Sequence, residues 1–269
     1  VSQPAVPVRP GPLPAVVARL RVAGCVFAEE EAELLVAAAG SAAELDDLVA
    51  RRVAGLPLEH LLGWAEFRGL RITVAAGVFV PRRRTGFLVE QAVALAPEPA
   101  VVVDLCCGSG AVGAALLAER GRVELVAADI DPAAVDCARR NVEPRGGLVV
   151  QGDLDAPLPP TLRGRVDVLV ANAPYVPSAA IATMPPEARE HEARVALDGG
   201  ADGLDVQRRV AAAALRWLAP AGHLLIETSE EQASRTAEAV TGAGLRARIV
   251  RDDDLDATVV IGTAPSARG

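Results

Sequence analysis

The chain has 269 residues, of which 51% are hydrophobic but only 3% aromatic, and 35 acids against 27 bases leave a formal charge of −8. That balance disfavours broad binding to duplex nucleic acid, which rests on neutralising phosphates, and no apolar run is long enough to cross a bilayer. Every base is arginine, so a lysine Schiff base, a Walker-type phosphate loop and a lysine general base are all excluded.

Residues 1–14 are rich in proline and show no apolar leader region after basic residues. Cys25, Cys106, Cys107 and Cys137 lack paired metal-ligand spacing, and His60, His191 and His223 are scattered, so neither a zinc site nor a bound metal is expected. These features read as a soluble, cytoplasmic protein with reduced thiols.

Over residues 13–56 apolar side chains recur at helical spacing, as in Val16, Val17 and Leu20 or Leu45, Leu48, Val49 and Val53, with short polar or glycine breaks. The spacing predicts three short helices. Residues 66–80 turn strand-like around breaks at Gly69 and Gly77 and predict a β-hairpin. A helix over 86–96 follows, ended by Pro97 and Pro99, which mark a boundary. From Val101 strand and helix alternate. Strands are predicted at 101–105, 123–128, 148–151, 166–171 and 223–228, with helices at about 111–120, 132–141, 204–218 and 230–243 between them. Two last strands, 245–250 and 258–261, flank an acidic turn and should pair antiparallel. Such a rhythm implies an α/β fold with a mostly parallel sheet covered by helices.

The first strand of this half runs into Asp104, Cys106, Cys107, Gly108, Ser109 and Gly110, at the carboxyl end where parallel sheets place their ligands. The glycines allow close backbone approach and positive φ. Gly108, Gly110 and Gly113 also spell the dinucleotide fingerprint, with Asp129 21 residues beyond Gly108, so an NAD-dependent oxidoreductase has to be weighed. Against it, an acid and three further residues precede the glycines, the usual opening of a methyltransferase cofactor loop. S-adenosylmethionine carries an amine, a sulfonium and a ribose but no phosphate. Asp129, ending the second strand, would take both ribose hydroxyls as a bidentate acceptor, and Asp153, after the third, would lie near the adenine.

After the fourth strand come Asn172, Ala173, Pro174 and Tyr175. Pro174 holds Ala173 extended, so the Ala173 carbonyl and the Asn172 side-chain oxygen can point at one place. Two acceptors fixed in this way suit a planar –NH2 group, and Tyr175 can stack on its plane. The –NH2 could belong to an amide or to the exocyclic amine of a base, a duplex base then having to be flipped out.

At this point the chain resembles the class I methyltransferases with an Asn-Pro-Pro-Tyr signature, and more narrowly the HemK-like release-factor glutamine methyltransferases. The likeness runs through residues 57–67, through Gly77, Pro81 and Arg82, the 104–110 loop, Asp129, the tetrapeptide 172–175 and the 196–204 segment around Asp198, Gly199 and Gly200, over roughly residues 50–262. The resemblance implies a seven-stranded catalytic domain at 100–269 and a small helical domain at 1–65 that recognises the substrate. The hairpin and a linker helix at 66–99 would join them. It implies S-adenosylmethionine as cofactor, held by Asp104, residues 106–110 and Asp129, with Asp153 and Leu154 on the adenine side and Asn172 also in contact with it. The glutamine of the Gly-Gly-Gln loop of a peptide-chain release factor would be held by Asn172 through Tyr175. The chain departs from the family at Ala173, where the signature has proline, and at Cys106 and Cys107, where small or hydroxyl residues are usual. It departs again over Arg83, Arg84, Thr85 and Gly86, where an acid normally follows the threonine, and at Leu154, where some relatives carry an aromatic. These mark a divergent member. Methylation of another amide or amino nitrogen, on a different protein, a base or a small metabolite, is the alternative reading.

Overall fold

The computed structural model describes residues 12–266, so the proline-rich stretch read for a leader lies, up to residue 11, outside the described residues. The chain divides into two compact units between Gly63 and Trp64. The first holds α1 (Leu13–Val22), α2 (Ala28–Ala38), α3 (Ala42–Val53) and a short α4 (Leu58–Leu62). The first three fall where their periodicity predicts; α4 is too short to show a period. Ser41 caps α3 by accepting from the Glu44 N–H at 3.2 Å, while the Glu44 carboxylate accepts from the Gly40 N–H at 2.7 Å. Leu20, Leu35, Leu45, Leu48 and Val49 form the small core of this unit.

The second unit opens with β1 (Trp64–Phe67) and β2 (Leu70–Thr73), antiparallel about Arg68 and Gly69. Both turn residues have positive φ (51° and 74°), the two-residue geometry whose twist suits a hairpin. The hairpin is shorter than expected. Beyond Thr73 the chain leaves the ladder and buries Val74, Val78 and Val80 in the core of this unit, while Gly77 bridges to Glu192. The break at Gly77 is therefore a change of partner, not a second turn.

There follow α5 (Gly86–Leu95), β3 (Ala100–Leu105), α6 (Ala111–Glu119), β4 (Val123–Asp129), α7 (Pro132–Val142), β5 (Leu148–Gln151) and β6 (Val166–Ala171). After two short helices, α8 (Pro186–His191) and α9 (Arg194–Leu197), come α10 (Asp205–Trp217), β7 (Leu218–Thr228), α11 (Ala233–Gly242), β8 (Arg246–Asp252) and β9 (Ala257–Thr263). Neither α8 nor α9 is long enough to be seen in the sequence. β7 starts earlier than predicted because its first residues also pair with β6, past a register shift between Val166 and Val168.

The seven strands order as β5-β4-β3-β6-β7-β9-β8, with β9 antiparallel to both neighbours and the others parallel. The α/β, mostly parallel seven-stranded sheet is thus the one expected. Its central strands are apolar runs because helices cover both faces: Val102, Leu116, Leu125 and Val135 pack on one side, and Val103, Leu105, Leu169 and Ile226 on the other. From β3 the chain moves to β4 on one side and later to β6 on the other. The ends of these strands therefore flank the crevice where such sheets bind ligands. Among the described residues, no helix is long and apolar enough to cross a membrane.

Candidate active site

Past β3 the backbone turns left-handed at Cys106, Gly108 and Gly110 (φ 55°, 54° and 76°). The loop is held by the Cys107 N–H donating to the Ala128 carbonyl and the Gly110 N–H to the Cys107 carbonyl, at 3.1 and 2.8 Å. At Gly110 a Cβ would lie 2.8 Å from Val142 and 3.0 Å from the Ala138 backbone, so α7 leaves room for glycine only. The loop turns its N–H groups to the neighbouring acids. Gly108 donates to Asp129 Oδ2 at 2.8 Å, and Asp131 donates to Oδ1 at 2.9 Å. Each Asp129 oxygen keeps a further lone pair for a ligand. Asp104 accepts from the Gly113 N–H at 3.0 Å and is 2% exposed.

Burial pushes the Asp104 carboxyl up to about 7, with Asp129 close by adding to the effect. Burial raises Asp129 as well, against its backbone hydrogen bonds. It also raises the thiols of Cys106 and Cys107, which are neutral in this setting. Ser109 is buried, and its carbonyl accepts from Asn141 Nδ2 at 2.8 Å. Asn141 also bonds both the carbonyl and the N–H of Thr73 at 2.9 Å, tying the hairpin to the cofactor loop. Leu154 (φ 50°) is buried in one cluster with Ala171 and Ala173, and Cys106 packs against it. Asp153 accepts from Arg209 on α10 at 2.7 Å, a pair half-exposed on both sides. Its role as an adenine contact therefore competes with an ion pair.

Beyond β6, Asn172 Nδ2 donates to Thr85 Oγ1 at 3.3 Å. Among the described residues no donor is bonded to Asn172 Oδ1 or to the Ala173 carbonyl. The Tyr175 hydroxyl accepts from Arg84 at 2.6 Å, and burial raises its pKa against the pull of that cation. Behind the tetrapeptide, the Val176 N–H donates to the Leu197 carbonyl at 3.0 Å and the Gly199 N–H to the Val176 carbonyl at 2.9 Å. Gln232 donates to the Tyr175 carbonyl at 2.9 Å. A Cβ at Gly203 would sit 2.3 Å from that carbonyl, and one at Gly199 2.8 Å from the Pro174 carbonyl. The glycines of the 198–204 segment thus let one backbone lie directly on another.

The crevice therefore brings together Asp104, residues 106–110, Asp129, Leu154 and the tetrapeptide, with Asp153 at its edge. Sequence reasoning missed Thr85, Arg84, Asn141, Glu227 and Gln232. A polar Asn141 inside an apolar helix face was a visible sign; the others lie far along the chain from what they hold.

The donor set selects among ligands. A buried carboxylate, Asp104, and a part-buried one, Asp129, take their hydrogen bonds from backbone N–H groups, and Asp129 raises the cost of ionising Asp104. A ligand bearing an ammonium, a sulfonium and a ribose diol fits this negative cradle; a pyrophosphate does not. The residues present thus suit S-adenosylmethionine.

Comparison with known proteins points the same way. The family model described as Methyltransferase small domain matches residues 70–200. A release factor glutamine methyltransferase of Mycolicibacterium smegmatis is 42% identical over 204 residues, covering 75% of this chain and 72% of that protein. One from Geobacter sulfurreducens is 41% identical over 188 residues, covering 69% and 65%. A solved methyltransferase structure from Pyrococcus furiosus superposes with a TM-score of 0.54 over 82% of this chain and 99% of that one, and at 17% identity it shows the shared fold alone. The nicotinamide reading of the glycine pattern is set aside. The chain is a methyltransferase and belongs to the release factor glutamine methyltransferase family.

Proposed function

We propose that this protein transfers the methyl group of S-adenosylmethionine to the side-chain amide nitrogen of a glutamine in another protein, the glutamine of the Gly-Gly-Gln loop of a peptide-chain release factor. The observation that carries this reading is the orientation of Asn172. Its –NH2 donates to Thr85, and Oδ1, like the Ala173 carbonyl, accepts from no protein donor among the described residues. Two acceptors with no protein donor match the two N–H bonds of a primary amide. The names of the relatives select the amide of glutamine from among planar –NH2 groups.

On this reading Asp104, Cys106, Cys107, Gly108, Ser109 and Gly110 form the loop that holds the amino-acid end of the cofactor. Asp129 takes the ribose diol, and Leu154 gives an apolar seat for the adenine. Asp153 stands at the outer edge of that seat. The cofactor supplies an electrophilic methyl on sulfur. An amide nitrogen is a poor nucleophile because its lone pair is delocalised into the carbonyl. Asn172 and the Ala173 carbonyl orient the nitrogen and favour its pyramidal form, and Tyr175 covers the plane of the amide. Held in line in this way, the reaction gains from positioning, an effect worth several kcal/mol. The two acceptors also suit the positive charge growing on nitrogen. The helical unit of residues 12–63 recognises the protein substrate, which its exposed Val22, Val26 and Phe27 support.

Labelled S-adenosylmethionine offered to release factor, to the same factor with its glutamine substituted, and to DNA tests the reading. Label is expected on the unsubstituted factor alone. Label on DNA, or equal label on the substituted factor, overturns it.

A further inference from the structure

The 196–204 segment carries part of the family resemblance, yet none of its residues meets a reactant in the proposed mechanism. It lies behind the tetrapeptide instead. Val176, the residue after Tyr175, is paired with it through both backbone groups, to the Leu197 carbonyl and the Gly199 N–H, and the Ser178 N–H donates to the Gly200 carbonyl at 2.9 Å. The Tyr175 carbonyl is the exception. Among the described residues it accepts from no backbone N–H; its partner is the side chain of Gln232, whose Nε2 donates to it at 2.9 Å. The same Nε2 donates to the Asp202 carbonyl at 3.3 Å. One amide group thus bridges the last residue of the tetrapeptide and the glycine segment.

The bridge is held from every side. Carbonyls can only accept, so the two of them fix which end of the Gln232 amide faces them. The other end, Oε1, accepts from Ser229 Oγ at 3.0 Å. The Gln232 N–H donates to the Ser229 carbonyl at 3.1 Å, and the Gln232 carbonyl accepts from the Thr236 N–H at 2.9 Å, which ties the residue to the start of α11. Gly203, at φ 79°, leaves the space that the bridge occupies: a Cβ there would overlap both the Tyr175 carbonyl and Gln232 Nε2.

We propose that Gln232 is a positioning residue for methyl transfer: by bridging the Tyr175 and Asp202 carbonyls it fixes the peptide that follows the Tyr175 ring, and so sets where that ring and the Ala173 carbonyl stand against the substrate amide. Arg84 holds the other end of Tyr175, its hydroxyl, at 2.6 Å. Gln232 touches neither reactant in this scheme, and the glycine segment serves as the wall to which it anchors the tetrapeptide. The inference rests on the amide-clamp reading of the site.

The test compares Gln232→Glu and Gln232→Leu with wild type in the full chain. The chain has a single tyrosine, so tyrosine labelled with carbon-13 at its carbonyl gives one resonance, that of the bridged group. The other readouts are cofactor Kd by calorimetry and single-turnover methyl transfer to release factor at saturating cofactor, from about pH 6 to 8.5. An ionised carboxylate has no proton to give a carbonyl, whereas a protonated one has, and two facing carbonyls favour the protonated form. Gln232→Glu should therefore be at least about fivefold slower than wild type at the alkaline end and approach it as pH falls, its Tyr175 resonance returning over the same range. Gln232→Leu should be slow, with a shifted resonance, at every pH. Cofactor Kd should stay within about threefold in both, the sign of a lost transition-state arrangement. Should Gln232→Leu not fold, Gln232→Glu, which keeps the shape, decides alone. An unmoved Tyr175 resonance, rates within about twofold of wild type in both variants, a Gln232→Glu defect that pH does not relieve, or a Kd raised as much as the rate falls each overturns the proposal. If wild-type protein methylates no release factor, the functional reading fails; the resonance, read without substrate, still judges the bridge.

Discussion

Where β3 and β4 end, backbone holds the groups proposed to meet the cofactor: Gly108 and Asp131 fix the Asp129 carboxylate, Gly113 fixes Asp104, and Gly110 has its shape dictated by α7. Where β6 ends, side chains from distant segments do the holding: Thr85 on Asn172, Arg84 on the Tyr175 hydroxyl and Gln232 on the Tyr175 carbonyl. The difference separates two kinds of vulnerability. The cofactor half should be broken by an added Cβ and the substrate half by a lost hydroxyl or amide, each leaving the other half's function intact.

The largest effect belongs to Gly110→Ala. The residue sits at φ 76° with backbone 3.0 Å from the new Cβ, so left-handed strain and overpacking add to roughly 2–5 kcal/mol of lost stability. Denaturant unfolding measures it, and a wild-type midpoint would show that the loop can relax. Asp129→Ala leaves the fold but removes a charged acceptor worth about 1.5–3 kcal/mol, so cofactor Kd should rise more than about tenfold. Asn172→Ala should do the converse. Losing one acceptor is worth about 1–3 kcal/mol in the transition state, so kcat should fall by roughly tenfold or more with a smaller change in cofactor Kd. Calorimetry and single-turnover transfer on both variants give the contrast directly; equal cofactor defects in the two would mean that the halves are not separable.

The same contrast explains what could be read in the sequence. The cofactor loop is local: strand, acid and glycines lie within a few residues of one another, and the backbone conformation they require is encoded where they stand. Asp129 follows because parallel strands bring successive ends together. The supports of the tetrapeptide are not local. Thr85 lies 87 residues from Asn172 and Gln232 57 from Tyr175, and no spacing rule connects them. The 83–86 segment is visible in the sequence only as a departure from a family pattern, while the structure makes two of its residues the supports of Asn172 and Tyr175. Likewise Gly77 reads as a turn because glycine breaks strands, whereas it is the bridge to Glu192 that places it.

A smaller effect follows from Asp104. Its carboxyl is pushed up to about 7 by burial, above the ordinary carboxylate value. The folded protein thus holds a proton that the unfolded chain has already released. The stability this contributes is complete below the unfolded pKa and is lost as pH rises through about 7. A cationic ligand favours the charged form, so cofactor affinity should strengthen a few-fold between about pH 6 and 8, with net proton release near neutrality. Asp129, raised in the same direction, adds to the trend. Calorimetry in buffers of different ionisation enthalpy counts the protons; affinity that is flat over this range, with no release, would mean that Asp104 is already charged before the cofactor arrives.

The smallest effect is expected from Ala173→Pro, the change that restores the family signature. Residue 173 is assigned only a backbone carbonyl, which proline keeps, and among the described residues the Ala173 N–H that proline would lose donates no hydrogen bond. Proline also restricts the preceding Asn172 to extended backbone, and Asn172 directly follows the last residue of β6. The cost lies in space: Ala173 is 1% exposed and packs with Leu154 and Ala171, so extra ring atoms can destabilise the fold by about 1–3 kcal/mol. Thermal melting should fall modestly while the single-turnover rate stays within about threefold of wild type, since no transition-state contact is removed. A severe loss of rate in Ala173→Pro beside a near-normal Asn172→Ala would reverse the assignment. The tetrapeptide would then be a structural turn, and the acceptors for the substrate nitrogen would have to lie elsewhere in the crevice.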